Sequence, residues 1–201
     1  GRAGSSPAPG TPPSCPGVAV DRGGRATCGS GFEPHHARKP TPHLVAWSRA
    51  ATDDTILIMD WVEGRRLSQL GPDEVDDAML TRLWAMLAEL HAAGVAHGGI
   101  DRSRIIVSDE RLMLTELDSA HILADEDARL ADAAQLLVVT AVAADPERAI
   151  AAARSSLGDD AVLNVLSQLQ TAALPRELQR DAKAADIKIK TLRKDVAEEL
   201  G

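Results

Sequence analysis

Leu90-His91-Ala92-Ala93-Gly94-Val95-Ala96-His97-Gly98-Gly99-Ile100-Asp101-Arg102-Ser103-Arg104-Ile105-Ile106-Val107 is the stretch whose reading decides the fold. It starts as the end of a helix, turns at Gly94, passes through a polar loop with one histidine and two adjacent glycines, and leaves as a β-branched run. The helix behind it is the plainest element of the sequence. Val75, Met79, Leu80, Leu83, Leu87 and Leu90 recur at spacings of three and four, which puts them on one apolar face. Pro72 suits a first turn, where its missing N–H costs nothing, and Asp73 and Glu74 favour the positive end of the helix dipole. Gly94 can take the left-handed conformation that closes a helix. The pattern predicts one helix from Pro72 to Gly94, then two short strands over residues 104–107 and 112–117, joined by a Ser108-Asp109-Glu110-Arg111 turn.

Upstream, residues 44–48 and 55–62 are β-rich runs separated by an Ala-Thr-Asp-Asp turn and read as a hairpin, which Glu63-Gly64-Arg65-Arg66 breaks. Residues 1–40 are rich in Gly, Pro, Ser and Arg without periodicity, and read as disordered or as a non-native start. Gly23 to Gly31 does not fit the G-x-x-x-x-G-K-[ST] spacing of a phosphate loop. Cys15, Cys28, His35, His36 and His43 match no zinc spacing. Downstream of Asp127 everything reads helical. The run from Leu136 to Ala144 is apolar enough to be buried, Asp145-Pro146 opens a helix that Gly158 ends, residues 159–170 form a third, and Pro175 opens the last region. There Ile189, Leu192, Val196 and Leu200 share a face.

Composition narrows the classes. The chain has 201 residues, enough for one domain with a core and a tail. Aromatic residues make up 2%, so Leu, Val, Ile, Ala and Met must build that core. With 22 basic and 30 acidic residues the net charge is −8, which argues against nucleic acid as a partner because phosphate neutralisation needs a basic surface. Cys15 and Cys28 read as two unpaired thiols; they could pair only in an oxidising compartment. No apolar stretch reaches the ~20 residues of a membrane helix, and residues 1–35 lack the apolar core of a signal peptide.

The stretch from Leu90 to Val107 resembles the catalytic loop of kinases, in the H-G-D variant of aminoglycoside-phosphotransferase-like enzymes rather than H-R-D. Leu114-Thr115-Glu116-Leu117-Asp118-Ser119-Ala120 falls where such proteins carry D-F-G-x-A. Ile58-Met59-Asp60-Trp61-Val62-Glu63-Gly64 looks like the last N-lobe strand and the hinge, so the resemblance makes Asp60, Trp61 and Val62 the residues that would meet a nucleotide base. Asp132 in Asp132-Ala133-Ala134-Gln135-Leu136-Leu137 matches the buried helix whose Asp tethers the catalytic loop. The resemblance covers roughly residues 42–170 and implies an α+β, mostly α fold: a truncated protein-kinase-like domain with a hinge hairpin and a helical C-lobe. Its expected parts are an N-terminal segment (1–41), a remnant hairpin and hinge (42–64), a helical C-lobe (65–180) and a basic C-terminal helix (181–201).

Phosphoryl transfer needs a carboxylate to orient the nucleophile and oxygen ligands to hold Mg²⁺ on the phosphates. By this resemblance the catalytic Asp position is Gly99, which has no side chain, and the metal-binding Asn position is Arg104, a cation. The metal-binding Asp position is Glu116, which could still coordinate, and the following Gly position is Asp118. Asp101 lies two residues past the lost base and reads as a solvated loop acid rather than its substitute. His97, a general base on paper, has a structural role in the family, packed under the loop. Asp101, Glu116 and Asp118 could together bind a cation; surface acids beside a cleft are the simpler account. Residues 1–40 are too short and irregular for a Gly-rich strand pair, a strand Lys and a helix Glu, Lys39 sits in no strand pattern, and residues 117–131 leave no room for an activation segment.

Pro146-Glu147-Arg148-Ala149, the stretch from Leu166 to Pro175, and Leu192-Arg193-Lys194 resemble actinobacterial membrane proteins in which a degenerate kinase-like domain precedes a transmembrane region of the lysylphosphatidylglycerol synthase, flippase-like type. The resemblance implies a cytoplasmic module at the inner face of the plasma membrane, partnered by that transmembrane region. Lys183, Lys188, Lys190, Arg193 and Lys194 would then be a juxtamembrane basic segment that meets anionic lipid; the alternative is a solvated helix face. The irregular start and abrupt end suggest a fragment. The expected function is a catalytically degenerate regulatory or scaffold module with no cofactor. An atypical ATP- and Mg²⁺-dependent phosphotransferase using Glu116 and Asp101, and an inert truncated product, are the alternatives.

Overall fold

In the computed structural model, which describes residues 18–20, 26–28, 41–42, 44–49, 55–108 and 111–200, the chain divides into two compact units, one holding the strands up to Asp60 and the other holding residues 41–42 and the chain from Trp61. The first unit has two antiparallel hairpins. Strand β1 (Val18–Val20) pairs with β2 (Ala26–Cys28), and β3 (Leu44–Arg49) pairs with β4 (Thr55–Met59), with Trp47 opposite Leu57. Strands β1 and β2 fall in the stretch that shows no periodicity, because three-residue strands are too short for alternation to register in a sequence. Strand β4 ends at Met59, and residues 60–63 have no regular structure. Cys15, His35, His36, Lys39, His43 and the turn expected at residues 51–54 lie outside the described residues.

The second unit begins with a short strand, β5 (Arg65–Arg66), where a break was expected. It adds to the edge of a sheet with β7 (Ile105–Val107) and β8 (Leu112–Leu114), in the order β5-β7-β8, all antiparallel. The helix predicted from Pro72 starts later. Pro72–Glu74 is a separate 3-10 turn, and α1 spans Asp77–Ala92. Local hydrogen bonding explains the shift: the Met79 N–H that would bond the Val75 carbonyl in a longer helix donates to the Asp76 carboxylate at 2.7 Å, and Arg148 Nη2 takes the Val75 carbonyl at 2.8 Å. Beyond α1, β6 (Val95–Ala96) pairs with β9 (His121–Ile122). Strand β8 ends at Leu114, three residues earlier than expected, because Glu116 turns into the left-handed region at φ 61°.

Helix α2 (Glu126–Ala143) is the centre of the unit: every residue from Asp132 to Ala143 is buried, as its all-round apolar pattern requires. Its one hydroxyl in that run, Thr140, donates to the Leu136 and Leu137 carbonyls. Around it pack α1, α3 (Pro146–Leu157, capped by Asp145), α4 (Asp159–Val165) and α5 (Arg176–Ala184). Helix α4 is five residues shorter than predicted; residues 166–170 continue as turns that bury Leu169. The basic C-terminal segment is not one helix. Helix α5 crosses residue 180, α6 is Ile189–Leu200, and Leu178, Ala182, Ile189, Leu192 and Val196 belong to the same core as α1 and α2. The fold is α+β, mostly helical with small antiparallel sheets. Among the described residues no helix is long and apolar enough to cross a membrane.

Candidate functional site

The loop of residues 97–104 runs from β6 to β7 over the buried flank of α2. Asp132 is fully buried, and a carboxylate there must find donors, since an uncompensated buried charge costs several kcal/mol. It has three: Oδ2 accepts from His97 N at 2.7 Å and from His91 Nε2 at 3.1 Å, and Oδ1 accepts from Gly98 N at 2.8 Å. One turn on, Gln135 Oε1 accepts from Ile100 N at 2.6 Å. Two polar side chains three residues apart on an otherwise apolar helix thus hold the loop by its backbone.

His97 is 0% exposed; its Nε2 donates to the Thr115 carbonyl at 2.9 Å, and its Nδ1 is buried with no hydrogen-bond partner among the described residues. Thr115 N and Oγ1 both donate to the Arg104 carbonyl, at 2.8 and 3.0 Å, so the loop and the end of β8 are tied at two points. Gly98 has φ +76°, and a Cβ there would sit 2.3 Å from the Ser119 carbonyl oxygen; only glycine fits. Gly99 differs. Its φ is ordinary, and the one close contact of a Cβ would be with the tip of Arg104, Nη1, at 2.7 Å.

Asp101 is not the solvated acid expected. It is 2% exposed and accepts from Ser103 N at 2.7 Å, from Ser103 Oγ, and from Arg104 N at 3.3 Å, which fixes the turn into β7. Arg104 gathers the acids. Its Nε lies 3.4 Å from Asp101 Oδ2 and 3.4 Å from Glu116 Oε2, and its Nη1 lies 3.4 Å from Asp118 Oδ1. Glu116, the residue at φ 61°, is also reached by Arg66 Nη1 at 3.5 Å. The acids read as bystanders beside a cleft therefore surround one guanidinium. Among the described residues no group of three or more His, Cys, Asp or Glu side chains is placed to hold a metal ion.

A pocket of about 310 Å³ opens here, with Gly98, Gly99, Asp101 and Arg104 on one side and residues 173–177 on the other. Helix α5 brings Asp181 close behind: burial pushes its carboxyl above the ordinary range, Arg102 opposes this, and Asp101 adds to it. Asp60 ends the first unit and is exposed; Trp61 is exposed and Val62 half-buried, and neither lines this pocket. His91, Gln135 and Arg66 were missed. Gln135 had a signal, a polar residue three after Asp132 in an apolar run; His91 and Arg66 had none, because both act across many residues of sequence. No protein-family model and no curated protein matches the chain, so the functional reading rests on residues and geometry.

Proposed function

We propose that this chain is a catalytically degenerate kinase-like module with a regulatory or scaffold role, in which Arg104 takes the place of both a catalytic side chain and a metal ion. The observation that carries the reading is the position of the Arg104 guanidinium: in front of Gly99, where a Cβ would be 2.7 Å from it, and paired with Asp101, Glu116 and Asp118. A divalent cation approaching these carboxylates would meet a positive charge already paired with them, and a phosphate would meet three negative ones. Asp101, the alternative base, has its carboxylate committed to Ser103 and Arg104.

The loop's anchoring supports the kinase-like part of the reading. His97 and Gly98 donate to a buried aspartate on a central helix, as the family resemblance implies for Asp132. The continuous core from α1 to α6 favours a folded module over an inert fragment. Membership of a larger membrane protein rests on the motifs at residues 146–149, 166–175 and 192–194. The test is a calorimetric titration of the chain with ATP, with and without Mg²⁺. The expected result is no Mg²⁺-dependent binding; tight Mg²⁺-dependent binding, or phosphate transfer by the purified chain, would overturn the proposal.

A further inference from the structure

In the second unit the turn between α5 and α6 lines an open hollow of about 860 Å³, with Arg176 shared between it and the pocket at the loop. Five cations line it, Arg176, Arg180, Lys183, Lys188 and Lys190, against one carboxylate, Asp186. In a chain with 22 basic and 30 acidic residues this is a local inversion of charge. It follows from the local fold. Arg176, Arg180 and Lys183 fall at i, i+4 and i+7 on α5 and so share one face. The turn is fixed because Ile187 N reaches back to the Ala182 carbonyl at 2.8 Å with Asp186 in the left-handed region at φ 56°, which sets Lys188 and Lys190 across from that face. Ala182 and Ile189, both buried, give the hollow an apolar floor.

A cation and a carboxylate three or four residues apart on a helix surface can pair, as Lys194 does with Glu198 at 3.0 Å. In the hollow Arg180 alone is paired, with Glu177; Arg176, Lys183, Lys188 and Lys190 form no ion pair with any described residue. Holding several unpaired like charges around one concavity is unfavourable unless an anion occupies it. Lysine and arginine donors above an apolar floor suit the compact multiple charge of a phosphate group.

We propose that the α5–α6 hollow is a binding site for a phosphate-bearing anion, supplied either by a soluble phosphate compound or by an anionic lipid headgroup. The inference is independent of the kinase-like reading, because it uses neither the loop at 97–104 nor Mg²⁺. The full chain is titrated with inorganic pyrophosphate in the absence of Mg²⁺, and assayed for co-flotation with phosphatidylcholine vesicles with and without phosphatidylglycerol. Binding that weakens with added salt, and at least about tenfold in Lys183→Gln/Lys188→Gln, is expected. All of the substituted side chains are exposed, so the thermal transition should not move; Lys194→Gln, outside the hollow, should bind as the parent does. Flotation with phosphatidylglycerol that pyrophosphate displaces, or that the double variant abolishes, would identify a lipid headgroup. Pyrophosphate binding without flotation would identify a soluble ligand. No binding to either probe, or binding that the double variant leaves unchanged, would overturn the proposal.

Discussion

Arg104 Nη1 occupies the space in which a side chain on residue 99 would begin, 2.7 Å from the position of its Cβ. The obstruction is the flexible end of a side chain, so it can yield. Next to it, Gly98 faces a backbone carbonyl at 2.3 Å with φ +76°, and that obstruction cannot. Gly99→Ala is therefore expected to cost less than about 1 kcal/mol, and Gly98→Ala about 2–4 kcal/mol. Urea denaturation of the two variants beside the parent checks this; equal costs would mean that the loop is free to rearrange.

Asp132 is the next residue whose loss should be severe. Asp132→Ala leaves the His97 and Gly98 N–H groups buried without an acceptor and is expected to cost about 3–5 kcal/mol. Asp132→Asn keeps one acceptor oxygen and should cost less. Hydrogen exchange at the His97 and Gly98 amides is the local readout. Protection should fall in both variants more than at the α2 amides, and a uniform fall would point to global destabilisation alone.

The helical part of the second unit was legible in the sequence because burial there follows the period of the helix: Leu80, Leu83, Leu87 and Leu90 repeat at three and four, and all are buried. What the sequence hid was decided by single hydrogen bonds or by distant partners. Asp76 rather than Pro72 starts α1 because of where the Met79 N–H points. Arg65 and Arg66 become a strand because Val107 and Ile106 offer an edge about forty residues on. At the site, Gly99 and Arg104, the residue types on which the proposed degeneracy rests, could be read directly. That Asp101, Glu116 and Asp118 converge on Arg104 could not, since one acid lies in the loop and two lie beyond β8. The burial of Asp101 is hidden because an acid that caps its own turn, accepting from Ser103 N and Arg104 N, has the same local sequence as a solvated one.

Leu137 tests whether α2 is the centre of the core. It is 1% exposed in a helix buried on every side. Leu137→Ala is expected to destabilise by about 2–5 kcal/mol, the range for a leucine truncated where neighbours cannot collapse into the gap. Leu200, near the C-terminal end of α6, packs only partly buried against the same core, and Leu200→Ala should cost less. Thermal unfolding of the two variants gives the comparison; a similar loss in both would mean that the core is not centred on α2.

Two acids, Asp159 on α4 and Asp181 on α5, should make stability depend on pH in opposite directions. Asp159 accepts from Arg154 Nε at 2.9 Å, and this hydrogen bond holds its carboxyl below the usual range, against a smaller effect of burial. A folded-state value below the unfolded one contributes stability that is present above the unfolded pKa and is lost as pH falls through the folded value. Burial pushes Asp181 the other way, with Arg102 opposing. Its folded form holds the proton more tightly, so stability is greatest below the unfolded pKa and declines as pH rises through the window up to the raised value. Asparagine cannot titrate at either position. Asp159→Asn should therefore be less stable than the parent at about pH 7 and approach it under acid, whereas Asp181→Asn should be more stable at about pH 7 and lose that advantage below about pH 4. Melting temperatures of the parent and both variants across this range give the comparison. A loss of stability in Asp181→Asn at neutral pH would show that the attraction of the Arg102 charge outweighs the cost of burying the carboxylate.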